Sequence, residues 1–215
     1  MSSFQYFKMT EQYAALIAGW TYEEPYSLYS MEGGLDDISE LMNGDYYYAL
    51  DDTHELVGYI CTGNSARVPG GYLIGIYNDE QYIDLGLGLK PELTGKGYGE
   101  QFLMSSLQFI KEEYDKSDVQ LVVVAFNERA IKVYERVGFI KGQSFKSKVS
   151  GQEIDFLVML YSKENTSGLL DKVNHGRDSN DAFYFQAIDG TYPFYREFED
   201  RYSAIPYTQS VFRNR

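Results

Sequence analysis

Residues Leu85-Gly-Leu-Gly-Leu-Lys-Pro-Glu-Leu-Thr-Gly-Lys-Gly-Tyr-Gly99 carry an apolar run through a glycine-rich turn into a helical pattern. A helix N-terminus holds orphan N–H groups and partial positive charge, which suits phosphate. Glycines at 95, 97 and 99 let a backbone approach a diphosphate closely, and Lys96 adds a mobile positive charge. Two other phosphate motifs are excluded by spacing. The nucleoside-triphosphate loop needs glycine at position 90 and Ser or Thr at position 97; the chain has Lys90 and Gly97. The dinucleotide fingerprint G-x-G-x-x-G fails because Gly95, Gly97 and Gly99 form G-x-G-x-G. Alone, such a turn is equally well a tight strand-to-helix connection.

A second unit, Asn127-Glu-Arg-Ala-Ile-Lys-Val-Tyr-Glu-Arg-Val-Gly-Phe139, follows a near-continuous apolar run. Together the two units resemble the GNAT superfamily of acetyl-CoA-dependent N-acetyltransferases. Its members show P-x-x-[Q/R]-x-x-G-x-G/A after the fourth strand and N-x-x-A-x-x-x-Y-x-x-x-G-F after the fifth. Pro91, Gly97 and Gly99 match the first motif; Asn127, Ala130, Tyr134, Gly138 and Phe139 match the second. The resemblance spans residues 4–161 in element order, and Trp20, Tyr22, Pro25 and Tyr26 are similar to the opening of small bacterial members. One position departs: Thr94 stands where Gln or Arg is usual, so Lys96 and the helix end would supply the attraction.

The resemblance implies an α/β fold with a mixed, mostly antiparallel sheet, splayed fourth and fifth strands, and helices on both faces. It implies acetyl-CoA as co-substrate and no metal. The pantetheine arm would lie in the splay and pair with backbone groups of Leu87 and Leu89. The Leu89 N–H would face the thioester oxygen as it gains charge. Thr94, Gly95, Lys96, Gly97, Tyr98 and Gly99 would form the diphosphate turn, and Asn127 would cap its helix or touch the arm. Tyr134 aligns with the general acid that protonates the leaving thiolate. The base does not carry over. Ribosomal-protein N-terminal acetyltransferases place a glutamate five residues before the asparagine, where this chain has Val122. Asp84 is the first substitute, directly or through water. Glu23 and Glu24 come next, with Tyr26 in the same loop bordering the acceptor. Each of these acids is equally an ordinary surface or structural acid. His54 falls in a hairpin loop, and Cys61 reads as a strand residue.

The elements that would position these groups are legible as patterns. Residues 4–9 read as a strand. Tyr13, Leu16, Ile17 and Trp20 line one helical face after Thr10, and Leu35, Ile38, Leu41 and Met42 line another. Residues 46–50 and 56–62 form a hairpin pattern, 64–79 read as an irregular connection, and 81–89 as a strand. Leu103, Leu107, Ile110 and Tyr114 mark a long helix, and 119–125 a strand covered on both faces. Asn127 opens a helix that Gly138 closes; strands begin at 139 and span 153–161.

Composition bounds the rest. The chain has 215 residues, 44% hydrophobic and 24% charged, enough for a sizeable core and too apolar for wholesale disorder. No apolar run is long enough to cross a membrane, and the start lacks a secretory pattern. One cysteine and two histidines exclude an internal disulfide and a multi-histidine metal site. A cytoplasmic protein is the expectation. A net charge of −13 with no basic run argues against nucleic acid and slightly favours small cationic partners. Residues 163–215 hold 10 of the 35 aromatics and only 8 of the 32 Asp/Glu, so they read as an aromatic-rich extension packed on a 1–162 domain. Within it, Pro193 precedes Phe194, Phe198 and Tyr202 at helical spacing. The expected activity is acetyl transfer to a primary amine, of a small molecule or of a protein N-terminus or lysine. A non-catalytic acyl-CoA-binding module is the alternative, and a homodimer is compatible with the extension.

Overall fold

The computed structural model describes residues 4–162. The extension from 163 and its expected helix at Pro193 lie outside the described residues. The order of elements is β1 (Gln5–Lys8), α1 (Glu11–Ala18), α2 (Leu35–Leu41), β2 (Tyr46–Leu50), β3 (Leu56–Thr62), α3 (Pro69–Leu73), β4 (Ile83–Leu89), α4 (Tyr98–Tyr114), β5 (Val119–Val124), α5 (Glu128–Val137), β6 (Ile140–Val149) and β7 (Gln152–Tyr161). Short 3-10 turns cover Ser27–Tyr29, Gly63–Ala66 and Pro91–Leu93.

The strands form one seven-stranded sheet in the order β1-β2-β3-β4-β5-β7-β6. Neighbours run antiparallel except β4 and β5, which run parallel. That parallel pair is brief: Ile83 faces Val119 and Asp84 faces Gln120, and no pairing follows. From Leu85 onward β4 stays with β3 while β5 stays with β7. The sheet therefore opens into a V, as the resemblance implied.

Period-two alternation sorts side chains to the two faces. On one face α4 and α5 lay Phe102, Leu103, Ile110 and Ile131 against Ile60, Leu85, Leu121, Val123 and Met159. On the other, α1 and α2 cover the β2–β3 half with Ala14, Ile17, Ala18 and Leu41 over Tyr46, Tyr59 and Cys61. Leu28, Tyr29 and Val68 cover the β5–β7 half around Val124, Phe156 and Val158. The segment from Trp20 to Tyr29 thus bridges two apolar clusters on either side of the V.

Some patterns are corrected. In α1 the buried residues are Ala14, Ile17 and Ala18, while Leu16 is exposed. In α2, Leu35 and Met42 are exposed and Glu40 is buried with Leu41. Glu40 accepts from Asn43 Nδ2 and from the Tyr46 hydroxyl, and these bonds let a carboxylate occupy a core position. The connection 64–79 contains α3, where Pro69 occupies a first-turn position. Gly70 is required there because a Cβ would lie 2.3 Å from the Lys146 carbonyl oxygen of β6. Gly86 and Gly88 are close-approach positions of another kind. A Cβ at either would lie 2.5 Å from Cys61 Sγ or the Tyr59 ring, respectively, so the glycines seat β3 side chains.

Candidate active site

The gap between β4 and β5 is edged by backbone. N–H and C=O of one strand residue point to one side, and the side alternates along the chain. The Lys90 N–H donates to the Val57 carbonyl, so Lys90 faces β3. The Leu89 carbonyl accepts from the Tyr22 hydroxyl at 2.8 Å, so Leu89 faces the gap, and Leu87 follows in register. The two residues expected to meet a pantetheine arm therefore edge the V.

Asp84 closes the apex of that V and is 5% exposed. Its Oδ2 accepts from Arg67 Nε at 2.6 Å and its Oδ1 from Gln120 Nε2 at 2.6 Å. Gln120 Nε2 also donates to the Ile76 carbonyl. Burial pushes the Asp84 carboxyl above the ordinary carboxylate value, against the pull of Gln120 and Arg67. Arg67 lies over the ring of Tyr77, 5.0 Å from its centroid. The carboxylate expected to take the substrate's proton is thus already bonded through both oxygens.

After β4 the chain turns through Pro91–Leu93. Thr94 turns its hydroxyl inward, donating to the Pro91 carbonyl at 2.8 Å. Gly95 and Gly97 have φ +73° and +90°, conformations that favour glycine. Gly97 caps α4, and among the described residues nothing lies within 4 Å of where its Cβ would be. No described residue crowds the start of α4 at Gly97, where the first-turn amides of Tyr98, Gly99 and the next two residues would hold a diphosphate. Lys96 and Tyr98 are exposed. Gly99 packs against Val133 of α5, 3.5 Å from its Cβ position.

Asn127 caps α5, its Oδ1 accepting from the Ala130 N–H at 3.2 Å while its Nδ2 donates to the Tyr29 hydroxyl. Two turns on, Tyr134 is half-buried against the α4–α5 core. Among the described residues its hydroxyl has no hydrogen-bond partner, although no fully buried side-chain polar atom is left unpaired. The hydroxyl is therefore not fully enclosed by the described residues. Burial and the proximity of Tyr29 push its phenol well above the ordinary value, so it stays protonated at neutral pH.

The loop crossing the mouth of the V is tied at both ends: Tyr22 bonds Leu89, and Tyr29 meets Asn127. Glu23 and Glu24 are exposed, and Glu24 Oε1 accepts from Ser27 Oγ at 2.6 Å. Tyr26 faces the start of α5, its ring beneath Arg129 at 4.5 Å and beside Phe126 at 6.3 Å. His54 is exposed in its loop, and Cys61 is fully buried with its thiol pushed up by burial. Sequence reading gave no site role to Arg67, Gln120, Tyr22, Tyr29 or Arg129, and Arg67, Gln120 and Tyr29 come from segments it did not connect to the site. Two of them had a signal: Arg129 lies inside the second motif and Tyr22 in the opening segment that resembles the family.

Residues 11–139 match the family described as the acetyltransferase (GNAT) family. The chain belongs to that family. Over 96 residues it is 30% identical to a mycothiol acetyltransferase from Salinispora tropica, covering 45% of this chain and 29% of the relative. The matched stretch is thus under a third of that curated relative's length. The fold is also that of an acetyltransferase (GNAT family) from Bacillus anthracis, with TM-score 0.57 and 15% identity over 75% of this chain and 96% of that one. A spermidine/spermine N-acetyltransferase from Vibrio cholerae has TM-score 0.55 and 14% identity, over 79% and 99%. Among the described residues no helix is long and apolar enough to cross a membrane.

Proposed function

We propose that the chain moves an acetyl group from acetyl-CoA to a primary amine by direct attack in a ternary complex. The observation that carries this reading is the unpaired gap between β4 and β5, edged by Leu87 and Leu89 and crossed by a loop whose Tyr29 neighbours the unpartnered Tyr134 hydroxyl. Family membership supports the co-substrate.

In this reading the first-turn amides of α4 hold the diphosphate, and Leu87 and Leu89 pair with the pantetheine amides. The amine nitrogen bonds the thioester carbon, and the oxygen gains negative charge facing the Leu89 N–H. As the C–S bond breaks, Tyr134 gives its proton to the departing sulfur. The proton shed by the new amide nitrogen passes to solvent and restores the phenol. Asp84, bonded to Arg67 and Gln120, anchors the apex, and the acceptor delivers its amine neutral. The acceptor is a small molecule or a protein N-terminus or lysine. The polyamines in the name of the Vibrio relative belong in the first panel, beside a peptide N-terminus.

The test is thiol release from acetyl-CoA across that panel, with Tyr134→Phe beside the wild type. Expected is turnover that falls about 100-fold in the variant, with acetyl-CoA affinity retained. Cofactor binding without turnover on any amine would favour a non-catalytic acyl-CoA-binding module. The engaged Asp84 carboxylate and the apolar Val122 are the observations favouring that second reading.

A further inference from the structure

The α4–α5 contact brings two positive helix ends together. Gly99 in the first turn of α4 packs on Val133 of α5. Residues four apart share a helix face, so Arg129, one turn before Val133, is carried to the glycine turn. A Cβ at Gly95 would lie 3.4 Å from Arg129 Nη1. Arg136, seven residues after Arg129 on the same face, pairs with Glu100 at 3.6 Å. Glu128, the acid of the first turn of α5, is engaged by Lys132. Arg129 has no such partner: among the described residues no carboxylate lies within 4.0 Å of its guanidinium. What holds it is the face of Tyr26, 4.5 Å from ring centroid to guanidinium carbon.

A cation in the first turn of a helix opposes the macrodipole. Here it also adjoins the positive end of α4, in a chain of net charge −13 that has acids in excess. Such a concentration of uncompensated positive charge calls for an anion. The planar fork of arginine presents paired donors to phosphate oxygens, and stacking on Tyr26 fixes the fork's plane before the anion arrives.

We propose that Arg129 is a ligand of the cofactor diphosphate, gripping it from α5 across the turn from the α4 amides. It supplies the charge that Thr94, with its hydroxyl turned to Pro91, does not. This inference rests on the reading of the glycine turn as the diphosphate site. Through Tyr26 it also ties the loop between α1 and α2 to the cofactor.

The test is calorimetric titration of the full chain with acetyl-CoA, with its 3′-dephospho form, and with S-acetylpantetheine, which lacks the diphosphate. Expected for Arg129→Ala is a loss of about 10- to 100-fold for the first two ligands equally, with no change for the third. Arg129→Lys should fall between, because it keeps charge and loses the fork. Tyr26→Leu should show the same ligand dependence with a smaller, about threefold, loss. Undiminished affinity in Arg129→Ala would overturn the proposal. So would a loss seen with acetyl-CoA and absent with the dephospho form, which would move Arg129 to the 3′-phosphate, or an equal loss with S-acetylpantetheine. A wild-type chain that binds none of the three overturns the transferase reading itself, a result distinct from any variant effect.

Discussion

Arg67 Nε and Asp84 Oδ2 meet at 2.6 Å at the apex where β4 and β5 begin to separate. The pair joins the turn at Gly63–Ala66 to the start of β4, and Gln120 extends it to β5. Removing one partner of a buried pair leaves the other uncompensated. Arg67→Met should therefore lower unfolding free energy by about 2–3 kcal/mol, read by urea denaturation. Asp84→Asn keeps the Gln120 contact and should cost less. If Asp84 is an anchor, turnover by Asp84→Asn retains the wild-type pH profile at temperatures where the variant is folded. Loss of the profile's acid limb in a fully folded variant would make Asp84 the base instead.

The bond from Tyr22 to the Leu89 carbonyl pins the crossing loop to the edge of the gap. Tyr22→Phe removes one neutral hydrogen bond and no ring area, so stability should fall by about 1 kcal/mol. Turnover should fall further than stability suggests, by about tenfold, because the backbone of Leu89 loses its fixed position. Steady-state kinetics with saturating acetyl-CoA would check this; an unchanged kcat would detach Tyr22 from the chemistry.

Local chemistry made the turn and its helix readable. Glycine spacing, Pro91 and the Asn127 cap act within a few residues, and the apolar run of β5 follows from burial on both faces. What stayed hidden is non-local. Arg67 and Asp84 are 17 residues apart across α3, and Arg129 and Tyr26 meet only because the sheet brings α5 beneath the opening loop. The faces of α1 and α2 were misplaced for another reason. Short helices bury small residues such as Ala14 and Ala18 where the sheet is close, and leave Leu16 and Leu35 outside. The short helix α3 was hidden by its Pro-Gly-Gly start, which reads as a turn until the close approach of β6 is known. The glycine turn and the helix that carries Tyr134 were legible; the engagement of both Asp84 oxygens was not.

The three glycines of the turn should separate on substitution. Gly97→Ala meets no atom of the described residues but keeps a φ of +90°, so it should cost about 1–2 kcal/mol and weaken cofactor binding. Gly95→Ala adds the approach of Arg129 to the same backbone strain. Gly99→Ala makes only ordinary contact with Val133 and should be nearly neutral in stability. Thermal melts with and without acetyl-CoA distinguish the three; equal effects at 97 and 99 would contradict the assigned backbone.

Buried tyrosines set an alkaline limit on the fold. Burial is the first cause raising the phenols of Tyr22, Tyr29, Tyr46, Tyr59, Tyr77 and Tyr134 above their ordinary value of 10.0. A group whose folded pKa is raised favours the folded state while it stays protonated. The contribution is complete below about pH 10, the ordinary phenol value, and is lost as pH climbs from there through the folded values. Six such groups make the loss steep. Unfolding free energy should be flat between neutral pH and about pH 10, then collapse. Tyrosinate absorbance from these residues should rise together with loss of far-ultraviolet circular dichroism, in one transition. Tyr134→Phe should soften that transition, since a ring without a hydroxyl cannot ionise in either state. Tyrosinate signal from all the tyrosines appearing before any loss of secondary structure would show that these hydroxyls titrate in the native fold and would overturn the prediction.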